Sequence, residues 1–301
     1  VLERHCPSRQ VFVVHNPMMS AETNEGDKGK WSCLACSGGA RLDFVLEEGN
    51  WKEAFSEADG CCGHVCKGTY PWFRLALFVI QFILVAQSMA AHITYYDGKF
   101  GFWFIKFTHW GGMLLLTYFG FAAFTALKAR FVPEGDSSTG TPWFASMTWA
   151  LGTISPVFSL LIFVLYWALV YTPGNAVSFE TVSMHGGNVI LTVVDLLTTR
   201  QPYRIQHIYM PIICGTVYLV FSLVYYAAGG TNERGQRFIY AALDWSDPGR
   251  VGVMSALIIF FAVPLSYISF LAVAASRMKC RQSPVEECAI KRHSFEISAT
   301  E

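Results

Sequence analysis

Between Trp72 and Ala275 the chain alternates long apolar runs with short polar breaks. The runs are far longer than strands and fit the ~20 mostly apolar residues a helix needs to cross a bilayer. Six windows qualify: Trp72–Ala91, about Phe107–Leu127, Trp143–Tyr171, about Phe179–Thr198, Ile208–Ala228 and Val251–Ala275. The third is long; Pro156 predicts a kink there and tilt absorbs the excess, and Pro264 predicts a kink in the sixth. Connections are short except Gly229–Arg250, which is rich in turn residues and reads as an ordinary loop or as a cover over the bundle. The pattern predicts an all-α fold: a six-span transmembrane helical bundle over 71–275, between tails at 1–70 and 276–301.

The fourth window breaks the apolar rule. It carries His185, Asn188, Thr192 and Asp195, at offsets that place all four on one face of a regular helix, with Ser178, Thr181 and Thr199 extending the stripe. Polar groups at membrane depth are costly and face a bundle interior or a cavity. Arg74, Gln81 and Ser88 recur every seven residues in the first span and form a natural partner stripe. Asp195 needs a cation, and Arg200 and Arg74 are the candidates.

Composition sharpens this reading. Of 301 residues, 53% are hydrophobic and only 15% charged, against roughly 25% in a soluble domain. Mean hydropathy is +0.36 and the pI about 7.2, so the bilayer is the expected partner and nucleic acid is excluded for want of a basic face. Nine Lys/Arg near the span ends fall on one side and five on the other, which puts both termini in the cytoplasm of a plasma-membrane protein. VFVV at 11–14 is too short for a signal segment, so the first span is expected to lead insertion. Trp72, Trp103, Trp110, Trp143, Tyr171 and Trp245 fit interfacial belts. His92 and His109 read as solvated at an interface, and Arg200, Arg204 and His207 as a basic loop facing headgroups.

The two tails read as largely disordered, with one short helix near Trp51–Ser56. Cys33, Cys36, Cys61, Cys62, His64 and Cys66 admit three readings: free thiols, a zinc set of unusual spacing, or palmitoylation beside the membrane, which Cys280 shares. Nothing in the pattern calls for a metal or a cofactor.

The stretch HGGNVILTVVDLLTTRQPYRIQHIYMP, followed by YYAAGGTNERGQRFIYAALDW, with FTHWGG at 107–112 and YWALVY at 166–171, resembles the rolling stone family of multi-pass membrane proteins. That family is named for an insect protein linked to myoblast fusion, so the resemblance implies a role in cell–cell fusion or adhesion. A more distant likeness is to the androgen-induced and androgen-dependent membrane hydrolases, six-span proteins that use a threonine near the start of the second span and a histidine near the start of the fourth on fatty-acid esters. The matching positions are Thr108 in IKFTHW and His185 in SMHGGN, although Gly186 and Gly187 depart from the hydrolase pattern.

That likeness implies a threonine nucleophile whose proton passes to a histidine, acting on a lipid ester. Asn188 or a backbone amide would stabilise the oxyanion. Thr192, Asp195, Arg74 and Gln81 would bind or support. The residues alone equally allow Thr108 to cap its helix and His185 to tie two spans together. The two side chains are expected to point inward on adjacent spans, within about one water of each other.

Overall fold

The long apolar runs fold as helices in the computed structural model, which describes residues 51–58, 68–96, 99–131, 140–174 and 177–277. In chain order these are α1 (Trp51–Ser56), α2 (Tyr70–Tyr95), α3 (Phe107–Phe131), α4 (Trp143–Val170), α5 (residues 179–198), α6 (Ile205–Ala227) and α7 (Pro248–Arg277). Among the described residues the architecture is all-α, with one isolated bridge between Ala58 and Thr199. The tail cysteines, His64 and Cys280 lie outside the described residues.

Five helices, α2, α3, α4, α6 and α7, are long and apolar enough to cross a membrane. Six were expected. The difference is α5, whose Glu180, His185, Asn188 and Asp195 lower its hydropathy. It packs against α2 and α4, so its polar groups meet protein.

α3 lies between α2 and α4, and its buried Gly111, Gly112, Ala122, Ala123 and Ala126 let those neighbours approach closely. One apolar core joins Leu77, Leu115, Phe119 and Leu151 across these three helices. A second joins Val157 and Leu161 of α4 to Leu196 of α5 and to Val263, Tyr267 and Phe270 of α7. In a third, Trp51 and Phe55, four residues apart on α1, bury themselves against Ala129, Ala145 and Trp149. The short helix expected in the tail therefore packs onto the bundle end.

The two stripes meet as a ladder. Arg74 pairs with Asp195, whose other oxygen accepts from Tyr118 at 2.6 Å. Gln81 Nε2 donates to Asn188 Oδ1 at 3.1 Å, and Ser88 Oγ to Glu180 Oε1 at 3.1 Å. The α2 rungs are seven residues apart, while those on α5 are seven and then eight apart. The extra residue is taken up by a π-helical turn, Ser183–Gly187.

That turn corrects the single face expected for α5. It contains His185, ends just before Asn188, and turns the histidine away from the α2-facing set. Further π turns occur at Tyr166–Val170, ending α4, and at Ile258–Ala262 in α7, just before Pro264. A π turn thus precedes Pro264, and α4 is helical on both sides of Pro156.

Three interfacial expectations fail. Trp103, His92 and His109 are buried. The short 3-10 turn Phe100–Trp103 folds back over the start of α3, stacking Trp103 on His109 with ring centroids 4.2 Å apart. The basic loop is not a headgroup surface either. Arg200 pairs with Glu53 and Glu57 of the α1 segment, the Arg204 guanidinium lies 4.7 Å from the centroid of the Trp149 ring, and His207 is buried.

Candidate functional site

Thr108 sits in the first turn of α3, and His185 in the π turn of α5. Their side chains meet: Thr108 Oγ1 lies 3.2 Å from His185 Nε2. On the far side of the ring, Nδ1 lies 2.9 Å from the Thr181 carbonyl oxygen. A carbonyl only accepts, so Nδ1 carries the proton and Nε2 is left as the acceptor for the Thr108 hydroxyl. The Tyr166 ring stacks on the imidazole at 3.5 Å between centroids. The ring is therefore fixed in tautomer and in plane. The Thr108 hydroxyl bonds His185 and does not cap its helix.

Both residues line a cavity of about 1190 Å³. One end of it is polar, with Lys106, Glu180, Asn232, Glu233 and Gln236; the other runs among Leu161, Ile162, Leu219, Ile258 and Ile259 of α4, α6 and α7. All three π turns border it, through Tyr166, His185 and Ile258. Such turns recur at functional sites because one inserted residue re-aims a side chain.

The loop 228–247 lines the polar end. Asn232 shapes it, its Oδ1 accepting from the amides of Arg234 and Gln236 at 3.0 Å each, and Gly235 takes the left-handed φ of +79° the turn needs. Glu233 reaches Lys106, next to the start of α3, at 2.8 Å. Burial pushes the Glu233 carboxyl up, but the Lys106 hydrogen bond and charge and the backbone hydrogen bond outweigh it and hold it below its ordinary value. It therefore stays ionised near neutral pH, and the clasp persists there.

Beside the dyad lies a second group. His109 Nδ1 is 2.5 Å from the Trp103 carbonyl oxygen, and its Nε2 is 3.4 Å from Ser88 Oγ. Ser88 also receives Trp103 Nε1–H at 3.3 Å and holds Glu180 at the cavity wall.

Of the seven residues singled out from sequence, Thr108 and His185 come together and the other five stand elsewhere. Arg74, Gln81, Asn188 and Asp195 form the ladder, and none lines the cavity. Asn188 does not supply the expected oxyanion contact, because Met184 O takes an amide proton of Nδ2 at 2.9 Å and Gln81 fills its oxygen. Thr192 is buried on the same helix, with no hydrogen-bond partner for its hydroxyl among the described residues. Sequence reasoning missed Tyr166, Glu180 and Tyr240, which line the cavity. Only Glu180, a carboxylate opening the polar span, left a signal in the pattern. Among the described residues no cluster of three His, Cys, Asp or Glu side chains has the geometry of a metal site.

Comparison with known proteins agrees with the motifs. The chain is 28% identical over 192 residues to Protein rolling stone of Drosophila melanogaster, a match covering 60% of this chain and 67% of that protein. No solved structure matches it. The model of the family described as Protein rolling stone matches residues 66–285, and the chain belongs to that family.

Proposed function

We propose that this protein is an intramembrane hydrolase of fatty-acid esters, with Thr108 as nucleophile and His185 as general base. The observation that carries the reading is the 3.2 Å contact between Thr108 Oγ1 and an imidazole nitrogen left unprotonated by the Thr181 carbonyl, at the wall of a cavity with one polar and one apolar end. An acyl chain suits the arm between α4, α6 and α7, with the ester at the polar mouth.

Thr108 Oγ attacks the ester carbonyl carbon as its proton passes to Nε2. The tetrahedral intermediate collapses, the alcohol leaves with that proton, and the acyl group remains on Thr108. Water then attacks the acyl carbon and gives a proton to Nε2. Thr108 Oγ leaves with it, and the fatty acid is released. Stacking on Tyr166 favours the transient imidazolium.

With both termini cytoplasmic in the plasma membrane, the dyad opens to the outer face. A second reading, action in cell–cell fusion or adhesion, is favoured by the exposed 234–237 stretch with its Arg234 and Arg237, at the same end of the bundle.

Labelling with a fluorophosphonate probe tests the enzyme. The intact protein is expected to label, and Thr108→Ala and His185→Ala to lose the label while keeping the wild-type melting temperature. A folded wild type that does not label ends the hydrolase reading. Complementation in myoblasts separates the roles: full rescue of fusion by Thr108→Ala assigns fusion to the surface, not to hydrolysis.

A further inference from the structure

With the acyl chain in the apolar arm, the alcohol part of an ester falls at the polar mouth, and the charges there decide which alcohol fits. Two carboxylates line the cavity, Glu180 and Glu233. Glu233 is matched by Lys106 at 2.8 Å. Glu180 is not matched. Among the described residues no cationic side chain pairs with it, and its carboxylate accepts from Ser88 Oγ at 3.1 Å. Arg234 also borders the cavity, but from an exposed loop position and with no ion pair to Glu180.

Glu180 is tied to the dyad from both sides. The residue after it, Thr181, holds the His185 ring through its carbonyl at 2.9 Å. Ser88, which holds its carboxylate, lies 3.4 Å from Nε2 of His109, the residue after the nucleophile. The carboxylate is therefore a near neighbour of the dyad. Glu180 is partly buried and Ser88 fully buried, so its charge is screened less than in water. Gln87 Oε1 and His92 Nε2, on two further α2 residues lining this cavity, have no hydrogen-bond partner among the described residues, and His92 is 2% exposed. Tyr95, Tyr171 and Phe179 line it as well. A carboxylate without a cation, bordered by aromatic rings and unsatisfied polar groups, is the chemistry that binds an ammonium group.

We infer that the polar mouth is an ammonium subsite, Glu180 holding the positively charged headgroup of a single-chain ester whose acyl part occupies the arm between α4, α6 and α7. This rests on the Thr108/His185 reading for the ester and adds the alcohol: one that carries an amine or quaternary ammonium a few bonds from the ester oxygen. No new step is involved. Thr108 and His185 cleave the ester as above, and Glu180 lowers KM by its charge without giving or taking a proton.

The test uses the full chain in lipid nanodiscs and two esters of one shape, octanoylcholine and its neutral carbon analogue 3,3-dimethylbutyl octanoate. The wild type is expected to show a KM roughly 10–100-fold lower for octanoylcholine, with kcat within about twofold. Glu180→Gln keeps the length of the side chain and an oxygen for Ser88, and should raise the octanoylcholine KM to that of the analogue. Equal KM values in the wild type, or a preference that survives Glu180→Gln, overturn the inference. If Glu180→Gln melts early, Glu180→Asp replaces it: the charge remains, most of the preference should remain with it, and its loss overturns the inference. A wild type that cleaves neither ester ends the hydrolase reading, and the subsite is then read by binding. In Thr108→Ala, octanoylcholine should raise the melting temperature more than the analogue does, and adding Glu180→Gln should abolish the difference. Equal shifts in Thr108→Ala overturn the subsite.

Discussion

Asp195 is a carboxylate buried near one end of the bundle. It is held by Arg74 and Tyr118, and Arg74 also donates to Thr199 at 2.7 Å. Removing one partner of such a pair leaves a charge in low dielectric and costs about 3–5 kcal/mol, whereas replacing both by apolar groups is often neutral. Arg74→Leu is therefore expected to lower the melting temperature in detergent sharply, and Arg74→Leu with Asp195→Leu to recover most of the loss. A single variant as stable as the wild type would deny the pair its anchoring role. The need for a cation was legible in the sequence, since few charges reach that depth. The choice between Arg74 and Arg200 was not, because it is settled by Glu53 and Glu57, which come from far along the chain and take Arg200. The burial of His109 was not legible for a similar reason. It comes with the four-residue turn Phe100–Trp103, whose Trp103 stacks on it and which has no hydrophobic period to announce it.

At the scale of an element, the polar stripe of α5 was legible and its phase was not. A 3.6-residue period places His185 with Asn188, Thr192 and Asp195, but the π turn Ser183–Gly187 inserts one residue and divides them. Asn188 faces Gln81 and His185 faces Thr108. The turn is thus what separates a structural stripe from a chemical one. Deleting Gly186 is expected to return α5 to a regular helix and to swing His185 by about 100° relative to the ladder. Fluorophosphonate labelling should then vanish, with the melting temperature lowered only modestly. Gly186→Ala serves as the control. A Cβ there meets nothing within 4 Å, so it should leave labelling intact and the fold as stable or slightly more so. Labelling that survives the deletion would mean the π turn does not aim the histidine.

Across the whole molecule, polar work is divided between the two ends. The Arg74–Asp195–Tyr118 cluster ties α2, α3 and α5 at one end, with Arg277 of α7 closing over the Leu196 carbonyl at 2.6 Å. The dyad, the cavity mouth and loop 228–247 gather at the other. The sequence showed the helices and their order because each is a local run. It did not show the cavity, whose walls come from most of the bundle and a loop, and exist only after packing. Which end faces out decides whether a substrate arrives from the outer leaflet or from the cytosol. The proposed topology, with the tails inside and the loop outside, rests on the charge bias of nine Lys/Arg against five. Arg234→Cys places a thiol on an exposed loop position, while Cys214 lies in the middle of α6. In intact cells a membrane-impermeant maleimide should label Arg234→Cys at once and the N-terminal cysteines only after permeabilisation. The opposite order would turn the bundle over, put the cavity mouth in the cytosol, and leave a cell-contact role for loop 228–247 without physical basis.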